Sequence, residues 1–492
     1  MAVAGLVQVA FLRMPLATDP LRYARWGERL LHLRLDADYA HGQTRLGLLV
    51  PVHLVQRVLG ISELSFHLLP FVLYLVLVGS TYAVGARLFG RVVGVVASLL
   101  LATSVLLLFR SSQVNPDTSA TAYFVLAVAL LLAGGDRVGK KRLLLLAAGT
   151  AACGMAYLCR ENIVILAPVV LLLAWRQRWR WRDWAVVVAV AVCVLLGEAI
   201  GLWLLFGDPL ARLHALAAFG EDSPLLAVYG ENATLQTVFT RAPKVMLVYH
   251  EGIVLLLAAL VAPVTALVAR RRDRPAWQVL AVWVVVFWAF MLWSAGLLDP
   301  QEPHLRDYKM RYWVPVLPAL CLSAAAFLRL LARTLSARWQ RPAIVVLTAV
   351  LLLPFLADLR VFASDSSVRF MLRPTARDEM RDWLAHGAGD VREISTESRT
   401  AVLLRYYVRP FTGGERRWHG KVTMVLHRGF RWDPVRKAQG TLLLPDEALE
   451  KHSEVRLRPT SVTLPPEYAA LVRRGEVVTQ WSDKDLLIVT LP

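Results

Sequence analysis

Residues Leu68 to Gly135 read LLPFVLYLVLVGSTYAVGARLFGRVVGVVASLLLATSVLLLFRSSQVNPDTSATAYFVLAVALLLAGG. Three charge-free runs, Leu68–Ala86, Val92–Phe109 and Thr118–Gly135, are separated by a basic turn at Arg87–Arg91 and a polar turn at Arg110–Asp117. Each run has the ~17 or more residues that an α-helix needs to cross about 30 Å of hydrocarbon. Backbone in lipid must satisfy its own hydrogen bonds, so such runs fold as helices.

The same alternation extends along a chain of 492 residues that is 57% hydrophobic. It predicts eleven crossings, near residues 1–16, 66–87, 92–109, 118–135, 143–159, 162–175, 184–206, 246–269, 276–298, 312–331 and 343–361. The first and sixth are short. Basic clusters at Arg87–Arg91, Arg137–Arg142, Arg176–Arg182, Arg270–Arg274 and Arg333–Arg341 fall on alternate connections. By the positive-inside rule these five turns are cytoplasmic. The N-terminus is then inside, and the loops 17–65, 110–117, 207–245 and 299–311 lie outside with everything after residue 361.

Past residue 361 the composition becomes that of a soluble domain. Helical periodicity covers Pro374–His386, Glu397–Tyr407 and Pro466–Arg474. Val391–Ser395 and Thr441–Leu444 read as strands, and Glu476–Trp481 with Asp485–Leu491 as a closing hairpin. The fold class is therefore an α-helical polytopic membrane module, residues 1–361, followed by a small α/β extracytoplasmic domain, residues 362–492.

A net charge of +18 raises the question of nucleic acid. Much of that charge flanks apolar spans, where it sets topology and meets anionic headgroups, so membrane lipids are the expected partner and nucleic acid is not. The four cysteines, Cys153, Cys159, Cys193 and Cys321, all lie in apolar spans without metal-ligand spacing, which argues against a disulfide framework or structural zinc.

The outer loops hold the residues that could carry chemistry. Asp19-Pro20 reads as a helix cap with proline at the first helical position, opening a helix with basic residues toward water. A second such helix covers Leu46–Leu59. Asp117 follows Arg110, Gln113 and Asn115 in a turn more polar than a simple reversal needs. His304, Arg306, Asp307, Tyr308, Lys309, Arg311 and Tyr312 lead into the tenth span. Lys309 and Arg311 run against the positive-inside trend, which a phosphate partner or snorkelling toward headgroups would explain. Arg45 and Arg160 are placed to converge on the same anion. Glu161 and Glu198 lie near or within spans, where an ionisable group is functional by default. The plainer alternatives are pairing with Arg160 for Glu161 and reach to water at the helix end for Glu198, and both stay unassigned. Inverted repeats and broken helices, the features expected of a transporter, are not legible.

Taken in order, Asp19 with Tyr23, His41-Gly-Gln-Thr-Arg45, Leu88-Phe89-Gly90, Pro116-Asp117, Arg311-Tyr312 with Pro315 and Pro318, and Met380–His386 with Leu403–Tyr407 give a recognisable pattern. The chain resembles the GT-C superfamily of membrane glycosyltransferases, in the bacterial branch related to protein O-mannosyltransferases and the lipid A aminoarabinose transferase. One departure is that the acidic pair of the family's first loop is here Asp19 followed by Pro20. The resemblance implies inverting transfer from a polyprenyl-phosphate sugar to a hydroxyl or amine acceptor at the outer face of the inner membrane. It implies Asp19 as general base, Asp117 orienting the acceptor or sharing that role, and Arg45, Arg160, His304, Lys309, Arg311 and Tyr312 around the donor phosphate. No cofactor is implied; two carboxylates leave room for a divalent metal, but the ligand set is too thin to expect one.

Overall fold

The computed structural model describes residues 1–12, 15, 19–33, 40–221, 240, 243–244, 246–271, 273–293, 310–363, 381, 383–387, 391–426, 440–445, 455–456, 463–464, 478–482 and 486–491. They form two compact units.

The first unit comprises residues 1–12, 29–51 and 70–363. Among the described residues, seven helices are long and apolar enough to cross a membrane: Glu63–Phe89, Pro116–Gly135, Gly139–Cys159, Trp181–Phe206, Glu251–Val268, Tyr312–Ala332 and Ala337–Phe362. The pair Arg91–Thr103 and Val105–Ser111, bent by 64°, is long and apolar enough only when the two helices are taken together, as a broken span or a re-entrant loop. The other three expected crossings contain the helices Ala2–Ala10, Ala167–Arg176 and Arg274–Trp293, the first two of them short. Every predicted span thus contains a helix, and the protein is a multi-pass membrane protein. Trp181–Phe206 leaves Leu195, Leu196 and Trp203 more than half exposed, a surface that suits lipid rather than water.

Close backbone approach holds the early helices together. A Cβ on Gly85 would lie 2.8 Å from Gly94 Cα, and one on Gly94 would lie 2.6 Å from the Tyr82 carbonyl oxygen. Small residues permit such crossings where lipid removes the hydrophobic drive between helices. Gly90, at φ 98°, makes the reversal between them.

The bend at Ser104 corrects the expectation of unbroken helices. A new helix start in the bundle frees backbone N–H groups that need acceptors. The fully buried Glu251 supplies them, with Oε2 accepting from Val105 N at 3.2 Å and Oε1 from Leu106 N at 3.0 Å. Ser104 Oγ also donates to Oε1, at 3.1 Å. Asp358 plays the same part for the helix that Glu251 opens, accepting from Glu251 N at 2.7 Å and His250 N at 3.0 Å.

The second unit comprises residues 13–28, 52–69 and 364–492. Helix Asp19–Glu28 buries Leu21, Tyr23, Ala24 and Gly27, and Leu46–Leu59 is the second helix expected in that loop. Gln56 Nε2 donates to the Ala24 carbonyl at 3.1 Å, and Arg405 Nη2 to Glu28 Oε1 at 2.6 Å. Arg381 forms an ion pair with Glu63. Strands Glu393–Glu397 (β1), Lys421–Leu426 (β2), Gly440–Pro445 (β3), Val478–Ser482 (β6) and Leu486–Leu491 (β7) make one sheet in the order β2-β1-β3-β7-β6, and Val455–Arg456 (β4) pairs with Thr463–Leu464 (β5). β1 pairs in parallel with β2 and β3, whereas β6 and β7 form the expected antiparallel hairpin. Helix Ser398–Tyr407 matches the prediction. The described part of Pro374–His386 includes a π-helical turn, Trp383–Gly387. Pro466–Arg474 lies outside the described residues.

Candidate functional site

Asp117 opens the long helix Pro116–Gly135, yet it is not the cap. Asn115 is, its side chain accepting from Asp117 N at 2.8 Å, with Pro116 at the first helical position. The Asp117 carboxylate is therefore not committed to the helix end. It is 1% exposed and lies 2.5 Å from Arg160 Nη1 through Oδ1. Its Oδ2 has no hydrogen-bond partner among the described residues.

Arg160 reaches Asp117 because helix Gly139–Cys159 ends just before it. The Arg160 backbone is extended (φ −158°, ψ 120°), and a short 3-10 turn, Glu161–Leu166, follows. Extended backbone sends successive side chains to opposite sides. Arg160 meets Asp117 while Glu161 meets Arg45, at 3.5 Å. Of the alternatives the sequence leaves open for Glu161, the ion pair is with Arg45 and not with its chain neighbour Arg160. Burial opposes ionisation of Glu161, but the Arg45 and Arg160 guanidinium groups outweigh it and bring the carboxyl down to about 2. The Arg160 guanidinium also lies 4.9 Å from the centre of the Tyr312 ring, a cation–π contact. Tyr312 belongs to the 3-10 segment Met310–Val316.

Four sequence-predicted residues, Arg45, Asp117, Arg160 and Tyr312, thus belong to one ion-paired and stacked group with Glu161. Arg311 is in the same backbone segment as Tyr312. His304 and Lys309 lie outside the described residues. Asp19 belongs to the second unit, where it begins its helix half-exposed and 3.6 Å from Arg22. Among the described residues, no three His, Cys, Asp or Glu side chains gather as a metal site would require.

One charge escaped the sequence reading: Arg212, the partner of Glu198. Glu198 does not reach water: it is 7% exposed, with Oε1 2.7 Å from Arg212 Nε. An acid inside an apolar run is the signal that should have prompted the search for a cation.

Residues 51–206 match the dolichyl-phosphate-mannose-protein mannosyltransferase family. No curated protein matches the chain in sequence. Among solved structures, ArnT from Cupriavidus metallidurans bound to undecaprenyl phosphate has a TM-score of 0.58 at 14% identity, over 99% of this chain and 96% of that one. Its apo state gives 0.58 at 16% identity with the same coverage. The apo Archaeoglobus fulgidus oligosaccharyltransferase gives 0.52 at 12% identity, over 87% of this chain and 61% of that one. At these identities the likeness is one of fold, and the resemblance to the GT-C membrane glycosyltransferases holds.

Proposed function

We propose that this chain is a membrane glycosyltransferase that moves a sugar from a polyprenyl-phosphate donor to a hydroxyl or amine acceptor, inverting the anomeric centre, on the extracytoplasmic face of the inner membrane. The observation that carries this reading is the buried Asp117–Arg160 pair stacked on Tyr312, with Arg45 and Glu161 attached, in a bundle of membrane helices. An acid and several arginines at one place suit a reaction in which a proton leaves one substrate and phosphate charge grows on the other. The undecaprenyl phosphate in the ArnT structure supports a lipid-phosphate donor. In this reading residues 1–361 form the catalytic module and residues 362–492 an extracytoplasmic domain.

The acceptor oxygen or nitrogen attacks the anomeric carbon opposite the phosphate. The bond from that carbon to the phosphate oxygen breaks, and the polyprenyl phosphate departs with the electron pair. Asp19 removes the acceptor proton, help that is typically worth about 10²–10⁴-fold. Asp117 orients the acceptor or shares that role. Arg45, Arg160, Lys309 and Arg311 stabilise the leaving phosphate through forked and point-charge contacts, with His304 and Tyr312 beside it.

Transport of a lipid-linked sugar or other anion is the second reading, favoured by the broken helix at Ser104. Detergent-solubilised protein separates the two, because transport needs a sealed membrane and transfer does not. Product by mass spectrometry that depends on a polyprenyl-phosphate sugar is the expected result. Asp19→Asn and Lys309→Ala should each lose most of it; full activity in both would remove the assigned mechanism.

A further inference from the structure

Arg212, 3% exposed in helix Ala211–Glu221, has no part in the reaction just described. Its guanidinium nonetheless has several partners. Nη1 donates to the Tyr157 carbonyl at 2.9 Å, and Nη2 donates to the Thr44 and Leu158 carbonyls at 2.9 and 3.1 Å. Nε lies 2.7 Å from Glu198 Oε1, and the group is 4.8 Å from the centre of the Tyr157 ring. Tyr157 and Leu158 are in the last turn of Gly139–Cys159, whose carbonyls lack partners within the helix and carry its negative end. Capping alone would explain those two contacts but not the third.

Thr44 is the residue before Arg45, and Leu158 is two residues before Arg160. Arg212 therefore ties together the two chain segments that bear these cations. A separate observation points the same way. A Cβ on Gly47 would lie 2.7 Å from Leu158 Cβ and 2.8 Å from Cys159 N, so the segment after Arg45 presses directly on the backbone before Arg160. We propose that Arg212, oriented by Glu198, is a positioning residue that sets the spacing of Arg45 and Arg160 for the donor phosphate. This rests on the donor-site reading above. Spacing matters because a misplacement of about 1 Å at a reacting group can cost on the order of 10²-fold.

The test is equilibrium binding of undecaprenyl phosphate to the full-length protein in lipid nanodiscs, for wild type, Arg45→Ala, Arg212→Lys and the double variant. Lysine keeps the charge but cannot fork across three carbonyls. Arg212→Lys should weaken binding by about 10-fold, and the double variant should be no weaker than Arg45→Ala within about twofold, because the two act through one site. Unchanged affinity in folded Arg212→Lys overturns the proposal, as does a loss that simply multiplies with that of Arg45→Ala. The thermal midpoint without lipid serves as control: a lower midpoint with unchanged affinity of the folded fraction means a structural role only and also overturns it. Should Arg212→Lys fail to fold, Glu198→Gln decides, with weaker binding expected and wild-type affinity fatal. If wild type itself does not bind the lipid, the donor-site reading falls and this inference with it. If Arg45→Ala weakens binding and folded Arg212→Lys does not, only the positioning role is lost and the donor-site reading stands.

Discussion

Glu161 shows how much of the site depends on one backbone conformation. Its carboxyl lies at about 2 instead of the ordinary 4.5, because Arg45 and Arg160 outweigh the cost of burial. A carboxyl depressed in the folded state contributes stability that is present above its unfolded value and lost as pH falls through the folded one. The window here runs from about pH 4.5 down to about 2. Glu161→Gln should therefore be less stable than wild type at neutral pH, and the difference should shrink across that window. Thermal midpoints in detergent as a function of pH would show it, and parallel curves for the two proteins would contradict it. Sequence reading singled out Arg45, Asp117 and Arg160 because charge beside an apolar span is conspicuous. It left the partner of Glu161 open because adjacency in the chain says nothing about direction. The extended backbone of Arg160 turns the two side chains apart, and no composition pattern encodes that torsion.

Among the elements, the apolar spans were the most legible and the break at Ser104 the least. Residues 92–109 form an uninterrupted charge-free run, so hydropathy registers one helix where the chain has two joined at a 64° bend. What permits the break is Glu251, 147 residues away in the chain from the Ser104 it binds. Its carboxylate serves two backbone N–H groups and a hydroxyl in a buried setting. Leaving such donors unsatisfied costs about 1–3 kcal/mol each. Glu251→Ala should lower the thermal midpoint more than Glu251→Gln, whose amide oxygen keeps one acceptor in place. Equal midpoints for both variants and wild type would mean that the bend is held by packing rather than by the carboxylate. The tail repeats the lesson. The closing hairpin, whose two strands are near neighbours in the chain, was legible, whereas the parallel pairing of β1 with β2 and β3 depends on contacts distant in the chain.

For the whole molecule, the claim most exposed to test is orientation. Some arginines in the basic turns are neutralised locally: Arg142 forks onto Asp183, and Arg333 meets Asp273. That does not weaken the orientation argument, because the positive-inside bias follows lysine and arginine near span ends rather than net charge. The alternation of five such turns across the predicted spans therefore still supports the proposed orientation, with these turns cytoplasmic and the tail on the opposite side. The check is labelling of intact cells with a membrane-impermeant maleimide, after Cys153, Cys159, Cys193 and Cys321 are replaced. Single cysteines at Lys140, His214 and Glu415 sample a basic turn, an outer loop and the tail. His214→Cys and Glu415→Cys should react in intact cells, and Lys140→Cys only after permeabilisation. Both His214 and Glu415 are exposed, so failure to react would report sidedness rather than burial. The reverse pattern would put the ion-paired site on the cytoplasmic face. A lipid-linked donor presented from outside could not then reach it, and the proposed reaction would lose its location.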